Sequence, residues 1–219
     1  FLLFLIFKIV GLRYASNFSG KIVSFIGPLF RPKNLIKSNI LRALPDLKLN
    51  EIENISKAMW NNYGRILAEY IFIKDFRSTK FESNIIIKGQ EILDKIKKNN
   101  EPVIFISGHF NNFELMAMQI EKSGINLAAI YRPLNNKFIN LMMERIRKKY
   151  ICKNQIKKGI SGTKQLLSLF KKKTSIALMI DQRVSQGIKS DFFKEKAFTT
   201  TIPAQFVKKF KCKVVPIYI

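Results

Sequence analysis

This 219-residue sequence predicts an α/β fold: a mostly parallel, twisted sheet covered by helices, preceded by an N-terminal helical region. Two observations carry that prediction. From about residue 84, short β-branched runs alternate with amphipathic segments of helical length, as strands joined by crossover helices do. Up to about residue 75, apolar residues instead recur three and four apart, the period of a helix. The length suits one α/β domain with a helical appendage, and a hydrophobic fraction of 47% excludes a disordered chain.

The chain opens FLLFLIFKIVG, seven apolar residues before Lys8. That run is too short to span a bilayer, which takes about 20 residues. With the second apolar stretch, IVSFIGPLF over 22–30, it reads as a membrane-associating segment over residues 1–30. Residues 31–219 read as one α/β domain, helical at its start and sheet-forming from about 84. We expect sequence to be missing at both ends, because the chain starts without Met and stops at an apolar run.

Within LNEIENISKAMWNNYGRILAEYIFI, Ile52, Ile55, Met59, Ile66 and Tyr70 mark one face of a long helix. Asn50 is its expected N-cap, with Glu51 and Glu53 in the first turn. The expected order then runs strand 85–88 (IIIK), helix 89–98, strand 103–107 (VIFIS), a helix from about 112, strand 127–131 (LAAIY) and a helix across 136–150. It closes with helix 160–172, strand 175–180 (SIALMI), helix 201–210 and the strand KVVPIYI (213–219). DFFKEKAFTTT (191–201) supplies an aromatic pair and a Ser/Thr-type helix start.

Charge is the compositional outlier. Lys and Arg number 39 against 15 Asp and Glu, a formal net charge of +24. Such a surface attracts polyanions: nucleic acid, anionic lipid headgroups or an acidic protein. Residues 137–173 hold 12 Lys/Arg and one acid, Glu144. On a helix, Arg145, Lys148 and Lys149 could form a solvated face opposite Met142, Met143 and Ile146. Aromatics do not interleave with these clusters as in RNA-binding signatures. Cys152 and Cys212 lie far apart, which indicates neither a zinc site nor a disulfide framework.

The single histidine, His109, lies in FISGHFNNFE at the end of a predicted strand. In open α/β sheets, ligand chemistry gathers at the carboxyl ends of strands. An imidazole there can accept a proton near neutrality. A carboxylate on its other nitrogen would fix the tautomer and stabilise the imidazolium that forms. Glu114, in the first turns of the next helix, is the expected partner. Arg132 at the next strand end offers a fork for phosphate, carboxylate or oxyanion. Asp181 and Gln182 end a third strand, where the acid could orient Arg132 or a substrate.

These boxes, in this order, resemble the bacterial lipid A secondary acyltransferases (lauroyl and myristoyl transferases), relatives of the glycerol-phosphate acyltransferases. That family carries an H-x4-D/E box, commonly G-H-x-G-N-W-E. GHFNNFE matches at Gly108, His109, Asn112 and Glu114, with Asn111 for a glycine and Phe113 for a tryptophan. The YRP box matches Tyr131, Arg132 and Pro133, and the DQ box matches Asp181 and Gln182. The glycine-led Leu-Leu-Lys stretch resembles GTKQLLSLFKKK (162–173). The FFG box matches Phe192 and Phe193, with Lys194 for Gly, and the following TT matches Thr199 and Thr200. Upstream, NILRALPDL (39–47) and AEY (68–70) resemble further family elements.

The resemblance implies a glycerol-phosphate acyltransferase-like fold and an O-acyltransferase of lipid A biosynthesis, part of lipopolysaccharide synthesis. A hydroxyl of a lipid A precursor would attack the thioester of acyl-acyl carrier protein. It makes His109 the general base and Glu114 its orienting partner. Substrate binding falls to Asn112, Arg132, Asp181 and Gln182. No cofactor or metal is expected, the acyl-acyl carrier protein being a substrate. Expected partners are the acidic carrier protein, the phosphorylated precursor and an anionic membrane, at the cytoplasmic face of the bacterial inner membrane. Acyl transfer to another glycolipid or phospholipid is the alternative within the class. A basic nucleic-acid-binding protein is the alternative outside it, although no nucleic acid is expected as a partner.

Overall fold

The computed structural model describes residues 2–184 and 187–219; Phe1, the first residue of the apolar segment, lies outside them. The described chain groups into two compact units. One comprises the chain up to Phe72 together with Lys189–Phe198, the other Ile73–Ile188 with Thr199–Ile219.

The first unit is built from α1 (Leu2–Val10), α2 (Leu12–Ile26), α3 (Lys33–Ala43) and α4 (Leu49–Glu69). Small residues decide how α2 meets α4. Ala15, Ser16, Ser19 and Gly20 of α2 and Gly64 and Ala68 of α4 are buried. A Cβ at Gly64 would run into the Ser19 carbonyl and Gly20 Cα, so the backbones touch. Polar side chains lock the crossing: Ser16 donates to Glu69 at 3.0 Å, and Arg65 Nη1 donates to Ser16 at 3.5 Å. The α4 helix starts two residues earlier than its sequence suggests. Lys48, not Asn50, is the N-cap, and its backbone N–H donates to the Glu51 carboxylate at 2.8 Å. Asn50 instead accepts from the Glu51 N–H. Among the described residues, no helix is long and apolar enough to cross a membrane.

The second unit holds α5 (Ile73–Arg77), α6 (Gln90–Asn99), β1 (Ile104–Ser107), α7 (Glu114–Lys122), β2 (Leu127–Tyr131) and α8 (Lys137–Ile146). These are followed by β3 (Asn154–Lys157), α9 (Ile160–Lys171) and β4 (Ser175–Met179). In chain order the hairpin strands β5 (Ile188–Phe192) and β6 (Glu195–Thr199) come next, belonging to the first unit except for Ile188 and Thr199, and α10 (Ile202–Phe210) and β7 (Val214–Pro216) complete the second. The sheet runs β3-β2-β4-β1-β7 with every recorded pairing parallel. The predicted α/β class is therefore the observed one.

Strand alternation sorts the side chains into two layers. Ile104, Ala128, Ile156 and Ile176 pack with Leu166 and Phe170 of α9 and Phe206 of α10, whose rings meet at 5.3 Å. On the other face, Ser107 reaches Met116 of α7, which also buries Leu115, Met118 and Ile120.

One local expectation needs correction, and two elements carry no expectation from the sequence. Ile85–Lys88 form no strand: Ile86 is 87% exposed and the segment runs as a loop and turn into α6. β3 is an edge strand whose polar Asn-Gln-Ile-Lys buries only Ile156. Asp191 and the aromatic pair lead into a hairpin, because Phe193 and Lys194 both take left-handed φ (49° and 63°) and close a two-residue turn.

Candidate active site

The parallel ladder of β1 and β4 sets the site. Beyond their last paired residues, the Ile180 N–H still donates to the Ser107 carbonyl at 2.8 Å. The residues that follow, Gly108–His109 and Asp181–Gln182, therefore leave the sheet side by side at its carboxyl edge. Asp181 then holds His109 twice. The His109 backbone N–H donates to Oδ2 at 2.7 Å, and ring Nδ1 meets Oδ1 at 2.8 Å. Gly108 permits this approach, since a Cβ there would stand 3.1 Å from Asp181 Oδ2 and from the Phe110 ring.

Burial raises the Asp181 carboxyl, but the hydrogen bonds from the His109 backbone and ring, and the ring's charge, outweigh it and hold the group below the ordinary aspartate value. An ionised carboxylate only accepts, so in the neutral imidazole Nδ1 carries the proton and Nε2 keeps its lone pair. Gln182 Nε2 lies 3.4 Å from that nitrogen, and the Phe113 ring stands edge-on to the imidazole at 4.8 Å. Phe113 thus occupies the tryptophan position of the resembled box as a wall of the histidine. Asn111 takes a left-handed φ of 38°, a conformation natural to the glycine it replaces and more accessible to Asn than to most residues. Its side chain donates to the Ile219 carbonyl at 2.9 Å.

The carboxylate on the imidazole is therefore Asp181, and the expected His109–Glu114 pairing is corrected accordingly. Glu114, at the start of α7, is nearly buried and accepts from Arg147 through Nε at 2.8 Å and through Nη2. The reason is local: a carboxylate sunk in the first turn of a buried helix needs a guanidinium more than a ring already held elsewhere. Arg147 begins a π-helical turn (Arg147–Ile151) that continues α8. It lies over the Tyr131 ring at 5.8 Å. Tyr131 donates to Glu144 at 2.6 Å, joined by Asn140 at 2.8 Å. Burial and the Glu144 carboxylate push the Tyr131 hydroxyl far above its ordinary value, so it stays protonated. Glu144 is lowered by those donors and by Lys157.

Arg132 stands exposed at the end of β2. Asp181 is committed to His109, so the expectation that this acid orients Arg132 is also corrected. Asn112 is buried under the loop, its carbonyl accepting the Leu115 N–H at the start of α7. Arg147 escaped the sequence reading. Its only signal was position, a basic residue at helical spacing within an otherwise exposed cationic run. Among the described residues, no three His, Cys, Asp or Glu side chains converge as a metal-binding set.

A family model described as bacterial lipid A biosynthesis acyltransferase matches residues 1–219. The chain belongs to this family. A curated relative, lipid A biosynthesis acyltransferase 2 of Shigella flexneri, is 32% identical over 71 residues. That match covers 32% of this chain and 23% of the relative, so it spans under a quarter of that protein. In this lipid A biosynthesis acyltransferase family member, the GHFNNFE and DQ boxes are thus neighbours in space.

Proposed function

We propose that this family member transfers a fatty acyl group from acyl-acyl carrier protein to a hydroxyl of a lipid A precursor. The observation that carries the mechanism is the double hold of Asp181 on His109, which presents Nε2 as a base at the sheet's carboxyl edge. Nε2 takes the hydroxyl proton as the oxygen bonds to the thioester carbonyl carbon. The tetrahedral intermediate then expels the thiolate, which receives the proton back from Nε2. The imidazolium formed in between is stabilised by Asp181, as the carboxylate of a Ser-His-Asp triad does.

Arg132, exposed at the neighbouring strand end, is the proposed ligand for a precursor phosphate or the developing oxyanion. Glu114 acts indirectly, neutralising Arg147 and fixing the start of α7 behind the histidine loop. No prosthetic group enters the scheme. The net charge of +24 suits an acidic carrier protein and an anionic inner-membrane face on the cytoplasmic side.

The deciding assay incubates the full-length protein with a lipid A precursor and a panel of acyl carrier protein thioesters, and weighs the lipid by mass spectrometry. One added acyl mass, absent with His109→Ala, supports the reading. Transfer only to a different glycolipid or phospholipid moves the acceptor, and undiminished turnover by His109→Ala overturns the mechanism.

A further inference from the structure

Helix α8 divides its residues unusually. Its inner side carries the polar network: Asn140 and Glu144 bond to one another, and Tyr131 donates to Glu144. Its outer side leaves Phe138 86%, Leu141 54% and Met142 41% exposed. Arg145 is exposed on the same side, within a sector of roughly 100° at 100° per residue. Lys148 and Lys149 continue the exposed positive charge in the next turn, and Leu134 extends the exposed apolar surface ahead of the helix. Met142 thus lies beside Arg145 and not opposite it, so this is no simple solvated cationic face. The one acid between residues 137 and 173, Glu144, is turned inward.

We infer that this outer face of α8 lies on an anionic lipid bilayer, with Phe138, Leu141 and Met142 sunk among the acyl chains and Arg145, Lys148 and Lys149 at the headgroups. An exposed apolar cluster flanked by cations, with no acid on that face of the helix, is the chemistry of an interfacial helix. A nucleic acid would satisfy the cations but leave Phe138, Leu141 and Met142 in water. Topology adds the purpose. α8 follows β2 directly, and β2, β4 and β1 run parallel in adjacent order. The helix therefore begins at the same sheet edge as His109, and a lipid acceptor would meet the base without leaving the bilayer. This placement rests on the lipid-acylating reading for its purpose, though not for its test.

The test labels Phe138→Cys, in a Cys212→Ser background of the full chain, with nitrobenzoxadiazole. Lys164→Cys, exposed on α9, carries the control label. Vesicles of phosphatidylglycerol and phosphatidylethanolamine with brominated acyl chains should quench and blue-shift the label at 138 and leave that at 164 unchanged. Pure phosphatidylcholine should give at least about tenfold weaker binding, and added salt should weaken the anionic case. A label at 138 that stays unquenched while the protein sediments with the vesicles overturns the inference, as does failure to bind vesicles. Burial of the label through self-association without lipid overturns it equally. Lipid contact is read without turnover, so a protein that passes here and fails to transfer acyl groups refutes the enzymatic reading alone.

Discussion

His109 and Asp181 are 72 positions apart and share two hydrogen bonds; Glu114 is five positions from His109 and is paired elsewhere. Sequence proximity suggested the wrong carboxylate because strand registry, not spacing along the chain, brings side chains together. Removing the proposed base, His109→Ala, should lower turnover by about 10²- to 10⁴-fold with unchanged circular dichroism. Asp181→Asn should also cut turnover, since an amide can donate to Nδ1 and stabilise the wrong tautomer. Its acid-side signature is separate. A carboxyl held below its ordinary value stabilises the fold above the unfolded-state value and loses that contribution as pH falls through the lower, folded one. Acid titrations of stability should therefore lose that dependence in Asp181→Asn; identical profiles would exclude the linkage. Glu114→Gln should unfold more readily, in urea, by about 3 kcal/mol, the scale for orphaning a buried charge.

Elements with a strong apolar period were legible: the long α4, the amphipathic α6 and α9, and the apolar strands β1, β2 and β4. Those that failed lacked that signal. β3 presents one buried apolar residue and draws its hydrogen bonds from a neighbour. The Ile85–Lys88 run has strand composition but no partner ladder, showing that β-branched residues make a strand only where an edge awaits them. The β5–β6 hairpin was hidden because its turn uses Phe193 and Lys194 where Asn or Gly would announce it. Lys194→Gly should therefore stabilise the protein by roughly 0.5–1 kcal/mol, relieving a left-handed side chain, as thermal melts would show. A drop would mean that the lysine makes compensating contacts.

Across the whole molecule, fold class, sheet edge and family boxes followed from pattern, while the pairing inside the site required the tertiary arrangement of the β1 and β4 ends. The core beneath that edge is shared by strands and by α9 and α10, so its loss should be felt at the site. Leu166, fully buried in that cluster, should cost about 3 kcal/mol as Leu166→Ala, with activity falling as the fraction folded falls. Urea titration of both quantities checks the link.

The close crossing of α2 and α4 has a practical corollary. The only tryptophan in the chain, Trp60, rests on α4 with its indole against Gly27 and Tyr63 at 5.9 Å. Indole emission is thus a built-in dye for the helical unit alone. Comparing an emission melt with the far-ultraviolet signal of the whole chain would reveal whether the two compact units let go together or in turn.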